Sequence, residues 1–141
     1  MGLMFYPRGG SAQVARYLSR ALVESGWEVV LASGSLGSLG EQTNAATFFK
    51  GLHVEAADYT PALERFGRGE DQLVGPIPFH GSFEDREGAP DPVFAALGPE
   101  QAKAQVSAWE GVFERAGFGQ VDVIHLHHLT PLQAAVNRRW P

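Results

Sequence analysis

The sequence predicts an α/β domain of Rossmann-like, three-layer α/β/α type, built on a mainly parallel sheet. Three observations lead there. Short apolar runs alternate with segments of helical period. The first two runs are joined by a helix-length segment, which implies a parallel pair with a crossover connection. The chain has 141 residues, the size of one domain with one core.

Gly2 to Tyr6 is a continuous apolar run and reads as a strand buried on both faces. Pro7-Arg8-Gly9-Gly10 ends it. Ser11 then stands where a helix N-cap belongs. Val14, Tyr17, Leu18, Ala21 and Leu22 form one helical stripe, expected to face the core. Gly26 suits the left-handed residue that closes a helix, and residues 27–32 read as the second strand. Residues 33–40 read as a Gly-rich loop and residues 53–57 as a third strand, ended at Asp58 to Pro61.

Phe66 to Gly98 has neither a helical nor a strand period and is rich in Pro and Gly. A long irregular stretch inside a compact domain is more often functional than ornamental. Pro99 fits the first position of a helix. Its expected buried stripe is Ala102, Val106, Trp109, Phe113 and Ala116, and Gly117 stops it. Residues 121–126 read as a fourth strand, with 127–129 as its exit. Thr130-Pro131 is a cap and first residue for a last helix, 132–139. Another strand would ordinarily follow that helix, so the sequence looks cut, and an exposed edge is expected to favour dimers.

Composition narrows the function. The net charge is −5 with His neutral, and no basic cluster is present to drive nucleic-acid binding. There is no cysteine, which removes disulfides and thiolate metal sites. No apolar run approaches the length of a transmembrane helix. A cytoplasmic protein is expected, with a peripheral membrane contact left open.

Three groups could carry chemistry. Gly9, Gly10 and Ser11 lie between the first strand and helix, at the carboxyl edge where open α/β sheets bind ligands. Free amides at a helix start suit an anion; the plainer reading is a tight turn. His125 and His127 alternate along a strand and so point the same way, which could hold a metal for a hydrolase, although no carboxylate completes a triad. The plainer reading makes His125 a hydrogen-bonded sheet residue, while His127 and His128, at the exit, suit a polar ligand. Phe79, His80, Ser82, Glu84, Asp85 and Arg86 mix aromatics with charge. Adjacent carboxylates can do acid–base work, but beside Arg86 they equally read as a solvated ion-pair group.

The order of these pieces resembles the N-terminal domain of family 4 retaining glycosyltransferases of the GT-B fold. The strand, Pro-Arg-Gly-Gly-Ser (7–11), the helix ending Glu-Ser-Gly-Trp-Glu-Val-Val (24–30) and the second strand are similar to that family's opening. Asp122-Val-Ile-His-Leu-His-His128, followed by Leu-Thr-Pro-Leu132, is similar to its DVVHxHH segment. The likeness runs the length of the chain and is strongest at 5–32 and 121–136; the central loop matches loosely.

The resemblance implies that residues 1–141 form the acceptor-side, N-terminal half of a GT-B enzyme. Such an enzyme transfers a sugar from a nucleotide-sugar co-substrate to an acceptor, which could be a small molecule, a lipid or a glycan, without a metal or other cofactor. It implies that Gly9 and Gly10 approach the donor diphosphate and acceptor, that His127 or His128 lines the same cleft, and that the loop 79–86 shapes the acceptor side. The family's next strand, ending in His-Gly, and its donor-binding domain with Glu-x7-Glu are absent from these residues. The chain alone is therefore expected to be inactive. Two other readings stand beside this one: a non-catalytic α/β binding module, and a metal-dependent hydrolase using His125 and His127.

Overall fold

A computed structural model of the chain describes residues 1–141. In order it contains β1 (Gly2–Leu3), α1 (Gly9–Glu24), β2 (Val30–Ser35), α2 (Ala45–Phe48), β3 (His53–Asp58), α3 (Thr60–Gly67), α4 (Pro99–Arg115) and α5 (Pro131–Arg139). The sheet is parallel in the order β1-β2-β3. Alternation along the strands sends side chains to two faces. Leu3 and Leu31 pack with Ala12 and Ala15 of α1 and with Phe49, just past the end of α2, on one face. Met4, Ala32 and Ala57 pack with α4 and α5 on the other, around Trp109, Phe113 and Leu132. The architecture is a Rossmann-like α/β/α sandwich.

The apolar run at the N-terminus is buried through Phe5, but only Gly2 and Leu3 enter the sheet ladder. Tyr59 gives the reason. Its hydroxyl donates to the Met4 carbonyl at 2.8 Å, taking up that acceptor where a longer ladder would have continued. Gly34 lies beneath this junction. A Cβ there would stand 2.5 Å from the Met4 carbonyl oxygen and 2.7 Å from the Tyr6 amide nitrogen. Only the absence of a side chain lets the end of β1 pass so close to β2.

Several elements differ from the sequence expectation. α1 begins at Gly9 with Arg8 in the N-cap position and no side-chain cap, so Ser11 sits inside the first turn. The buried stripe of α1 is Ala12, Ala15 and Ser19, while Val14 and Tyr17 are 55% and 62% exposed. Small residues win that face because they let the helix lie close on the sheet. β2 starts at Val30, since residues 25–27 complete the helix exit: Gly26 has φ +89° and the Trp27 amide donates to the Leu22 carbonyl. The strand then continues through Ser35, into what read as loop. α3 was not anticipated, although Pro61 stands in its first turn.

The expected fourth strand is reduced to a single parallel bridge between Gly2 and Leu126. The Gly2 amide donates to the His125 carbonyl, and the His127 amide to the Gly2 carbonyl. β1 offers only two residues to pair with, so 121–124 run without a ladder. α4 buries Val106, Trp109 and Phe113 as its period predicts, with Ala116 buried just past its end, while Ala102 is only half-buried. α5 carries a capping box between Thr130 and Gln133. No helix is long and apolar enough to cross a membrane.

Replacing Gly34 with Ala is expected to cost about 3 kcal/mol, because the new methyl meets backbone that cannot step aside. A lower urea midpoint at unchanged m would measure it; a midpoint like the parent's would mean that the junction relaxes freely.

Candidate functional site

The central loop is held into the core, despite its composition. The Ser82 amide donates to the Pro92 carbonyl and the Phe94 amide to the Ser82 carbonyl, a parallel bridge that closes residues 82–94. Gln105 of α4 donates from Nε2 to the Phe79 carbonyl at 2.9 Å. Gly81 lets the Phe94 ring lie against it; a Cβ there would be 2.5 Å from that ring. Phe79 and His80 are consequently buried beneath the loop.

These anchors bring the loop against the carboxyl edge of β1. A cleft of about 370 Å³ opens between them. One wall is Arg8, Gly9, Gly10 and Ser11 at the start of α1; the other is Ser82, Phe83, Glu84 and Arg86; Phe5 and His128 close it. Of the residues expected to act together, Gly9, Gly10, Ser11, Ser82, Glu84, Arg86 and His128 meet here. Phe79 and His80 lie behind the cleft, and Asp85 is exposed outside it. His127 faces away, with its ring centroid 4.8 Å from that of His125. A larger hollow of about 640 Å³ sits at the opposite, amino edge of the sheet. It is lined mainly by apolar side chains such as Leu18, Trp27 and Val123, and of the candidate residues it touches only His125.

Asp91 organises the cleft from behind, and sequence reasoning missed it. Its side chain is 1% exposed. One oxygen, Oδ2, accepts from Arg8 at 2.9 Å and also from Arg86. Arg8 donates in addition to the Tyr6 hydroxyl at 2.9 Å, and its guanidinium lies 4.7 Å from the centre of the Tyr6 ring. Burial works to raise the Asp91 carboxyl. The Arg8 hydrogen bond and the neighbouring positive charges of Arg8 and Arg86 outweigh it and hold the group below its ordinary value. Flanked by Pro90 and Pro92, Asp91 looked like any loop carboxylate; the only signal was its spacing from two arginines that the fold alone brings near.

His80 stands in an aromatic box of Phe5, Tyr6, Tyr59 and Phe79, with ring centroids 4.8 to 5.6 Å away. Its Nδ1 is 2.8 Å from the Gly81 carbonyl oxygen and, as the neutral tautomer, donates to it. Burial pushes its pKa down to about 4. Nε2 has no partner in the protein, like Asp91 Oδ1 and Gln105 Oε1. His128 carries the cleft's backbone anomaly, with φ +66°, a left-handed conformation uncommon for a residue with a Cβ. Its ring meets Phe5 and Phe83 at 5.7 and 5.9 Å.

At the paired histidines, burial lowers His127, and the positive charges of His125, His128 and the chain amino terminus add to that. No group of three or more His, Asp or Glu side chains is placed to hold a metal ion. Compared with protein-family models, curated proteins and solved structures, the chain gives no match. The resemblance to family 4 glycosyltransferases rests on the residues themselves.

The depressed His80 fixes the sign of a pH effect. The unfolded chain takes up this proton near pH 6.5, the folded chain only near pH 4. Stability therefore falls as pH drops below about 6.5, and the full penalty is reached below about 4. Between about pH 7 and pH 5 the loss from His80 is about 2 kcal/mol, with His127 adding in the same direction. The buried chain amino terminus, lowered to about 6, adds a slope of the same sign. In His80→Phe the slope is expected to shrink by the His80 share and to keep that of His127 and the amino terminus; a variant with the parent's full slope would place the titration elsewhere.

Proposed function

We propose that the chain is the acceptor-side, Rossmann-like half of a glycosyltransferase of the GT-B type, which moves a sugar from a nucleotide-sugar to a hydroxyl-bearing acceptor. The observation that carries the reading is the bare backbone at Gly9 and Gly10. A Cβ at either residue would meet no protein atom within 4 Å. Gly9 has φ +63° and needs to be glycine for its conformation. Gly10 has neither a positive φ nor a packing contact to require it. What its missing side chain keeps clear is the cleft, at the sheet edge where α/β folds bind ligands. The uncapped first turn of α1 offers amide donors there.

The same features support a division of labour. Group transfer needs two substrates held in line and charge stabilisation for the leaving diphosphate. This cleft has one helix start, a few polar side chains and one open side. That suits it to receive an acceptor and to abut a second, donor-holding domain. His128 and Phe83 give the acceptor wall an aromatic surface, and Glu84 brings a carboxylate.

Two experiments test the reading. The gene is expected to continue in frame past the codon for Pro141, into a strand ending in His-Gly and a second βαβ domain with Glu-x7-Glu; a stop codon there would sink the proposal. In the full-length protein, Gly10→Ala is expected to leave stability unchanged or raise it by up to about 1 kcal/mol, since Ala is the better helix former. Sugar transfer should fall by about tenfold or more, because the methyl enters the space the ligand uses. Undiminished transfer by that variant would contradict the role given to Gly10.

A further inference from the structure

Asp91 poses a question that pinning a loop does not answer. One arginine would suffice to neutralise a buried carboxylate, yet two converge on the same oxygen, from different segments of the chain. Arg8 comes from the β1–α1 connection and Arg86 from the 82–94 loop, and both line the cleft. Their side chains are 33% and 43% exposed, against 1% for Asp91. The carboxylate sits behind while the two guanidiniums stand in front.

Donors remain unspent. Each guanidinium has five N–H groups in a planar fork. Asp91 engages one terminal nitrogen of Arg86, and no other group of the protein accepts from that side chain. Two positive charges face one buried negative charge. Glu84 brings a further carboxylate to the cleft, but forms no ion pair with either arginine. The amides of the uncapped α1 start open into the same space.

We propose that this cleft grips a phosphoryl group between Arg8 and Arg86, with Asp91 as the positioning residue that holds the two guanidiniums side by side. The donors reach the cleft from three sides: Arg8, Arg86 and the helix start. A tetrahedral phosphoryl group presents oxygens in three directions, whereas a carboxylate presents two in one plane. The volume, about 370 Å³, exceeds what a phosphate alone fills, so a phosphorylated polyol or sugar suits the space. The inference deepens the transferase reading and rests on it only for the identity of that larger ligand.

The test is a nuclear magnetic resonance titration of the intact 141-residue chain at low ionic strength, with inorganic phosphate and with glucose 6-phosphate as probes. Both are expected to shift the backbone amides of Gly9 and Gly10 and the side-chain Nε signals of Arg8 and Arg86, and to saturate. A tighter ester would assign the site to a phosphorylated ligand, and equal affinities to free phosphate; either outcome supports the clamp. No saturable shift with either probe would overturn it.

Asp91→Asn separates positioning from charge balance. Deleting a negative charge alone would strengthen anion binding, whereas loss of positioning should weaken it by about tenfold. Tighter binding by this variant would overturn the role of Asp91. Should Asp91→Asn fail to fold, Arg86→Gln removes one exposed jaw and leaves Asp91 paired with Arg8; about tenfold weaker binding is expected, and unchanged affinity would refute the clamp. Phosphate binding by a chain whose gene stops at Pro141 would keep the clamp and remove the transferase. A transferase whose N-terminal half ignores both probes would do the reverse.

Discussion

A carboxylate taken out of water destabilises a protein by several kcal/mol unless charges and hydrogen bonds replace its hydration. Asp91 is in that position, and the replacement comes from two segments far apart in sequence. Arg8 ties it to the end of β1, and Arg86 to the irregular loop. Without this junction the loop would have no electrostatic reason to lie against the sheet edge, and the cleft would have one wall. The aromatic box around His80 belongs to the same arrangement, since Phe5 and Tyr6 lead directly to Arg8. The charged cluster and the apolar box fix each other: one supplies direction, the other excludes water.

Glycine does the complementary work in the sheet. At Gly34 the end of β1 passes within contact distance of β2. At Gly2 a Cβ would lie 2.6 Å from Leu126, so the bare backbone is what lets the 121–126 segment close on β1. The carboxyl edge of the sheet is thereby shaped by approach distances that side chains would forbid. Local backbone chemistry, rather than a long ladder, places the α1 start and His128 across the cleft from each other.

Much of this was legible in the sequence, for reasons that are local. The stripe of α4 follows a clean helical period, the Thr130-Pro131 cap of α5 is a short-range signal, and Gly26 closes α1 as its conformational freedom suggests. The α/β/α class followed from the alternation of such pieces. The misses have non-local causes. Residues 121–126 alternate like a strand, but pairing depends on the partner's length, and Tyr59 shortens that partner. Val14 and Tyr17 have the right spacing for a buried face, yet Ala12, Ala15 and Ser19 occupy it because the sheet demands a close helix. Gly9, Gly10, Ser11, Ser82, Glu84, Arg86 and His128, singled out in the sequence, do meet in one cleft, since position at a strand's carboxyl end is readable. Asp91 was not, because burial of a loop carboxylate depends on which arginines the fold delivers.

The seam between β1 and residues 121–127 is closed by two backbone hydrogen bonds, and no backbone amide from Val121 to Leu126 donates to another backbone group. Six consecutive amide hydrogens so placed exchange with solvent far faster than those of the paired β2 and β3. His128 stands at the end of that seam, so the cleft has one jamb on a regular helix, the α1 start, and one on a segment tied to the sheet by two backbone hydrogen bonds.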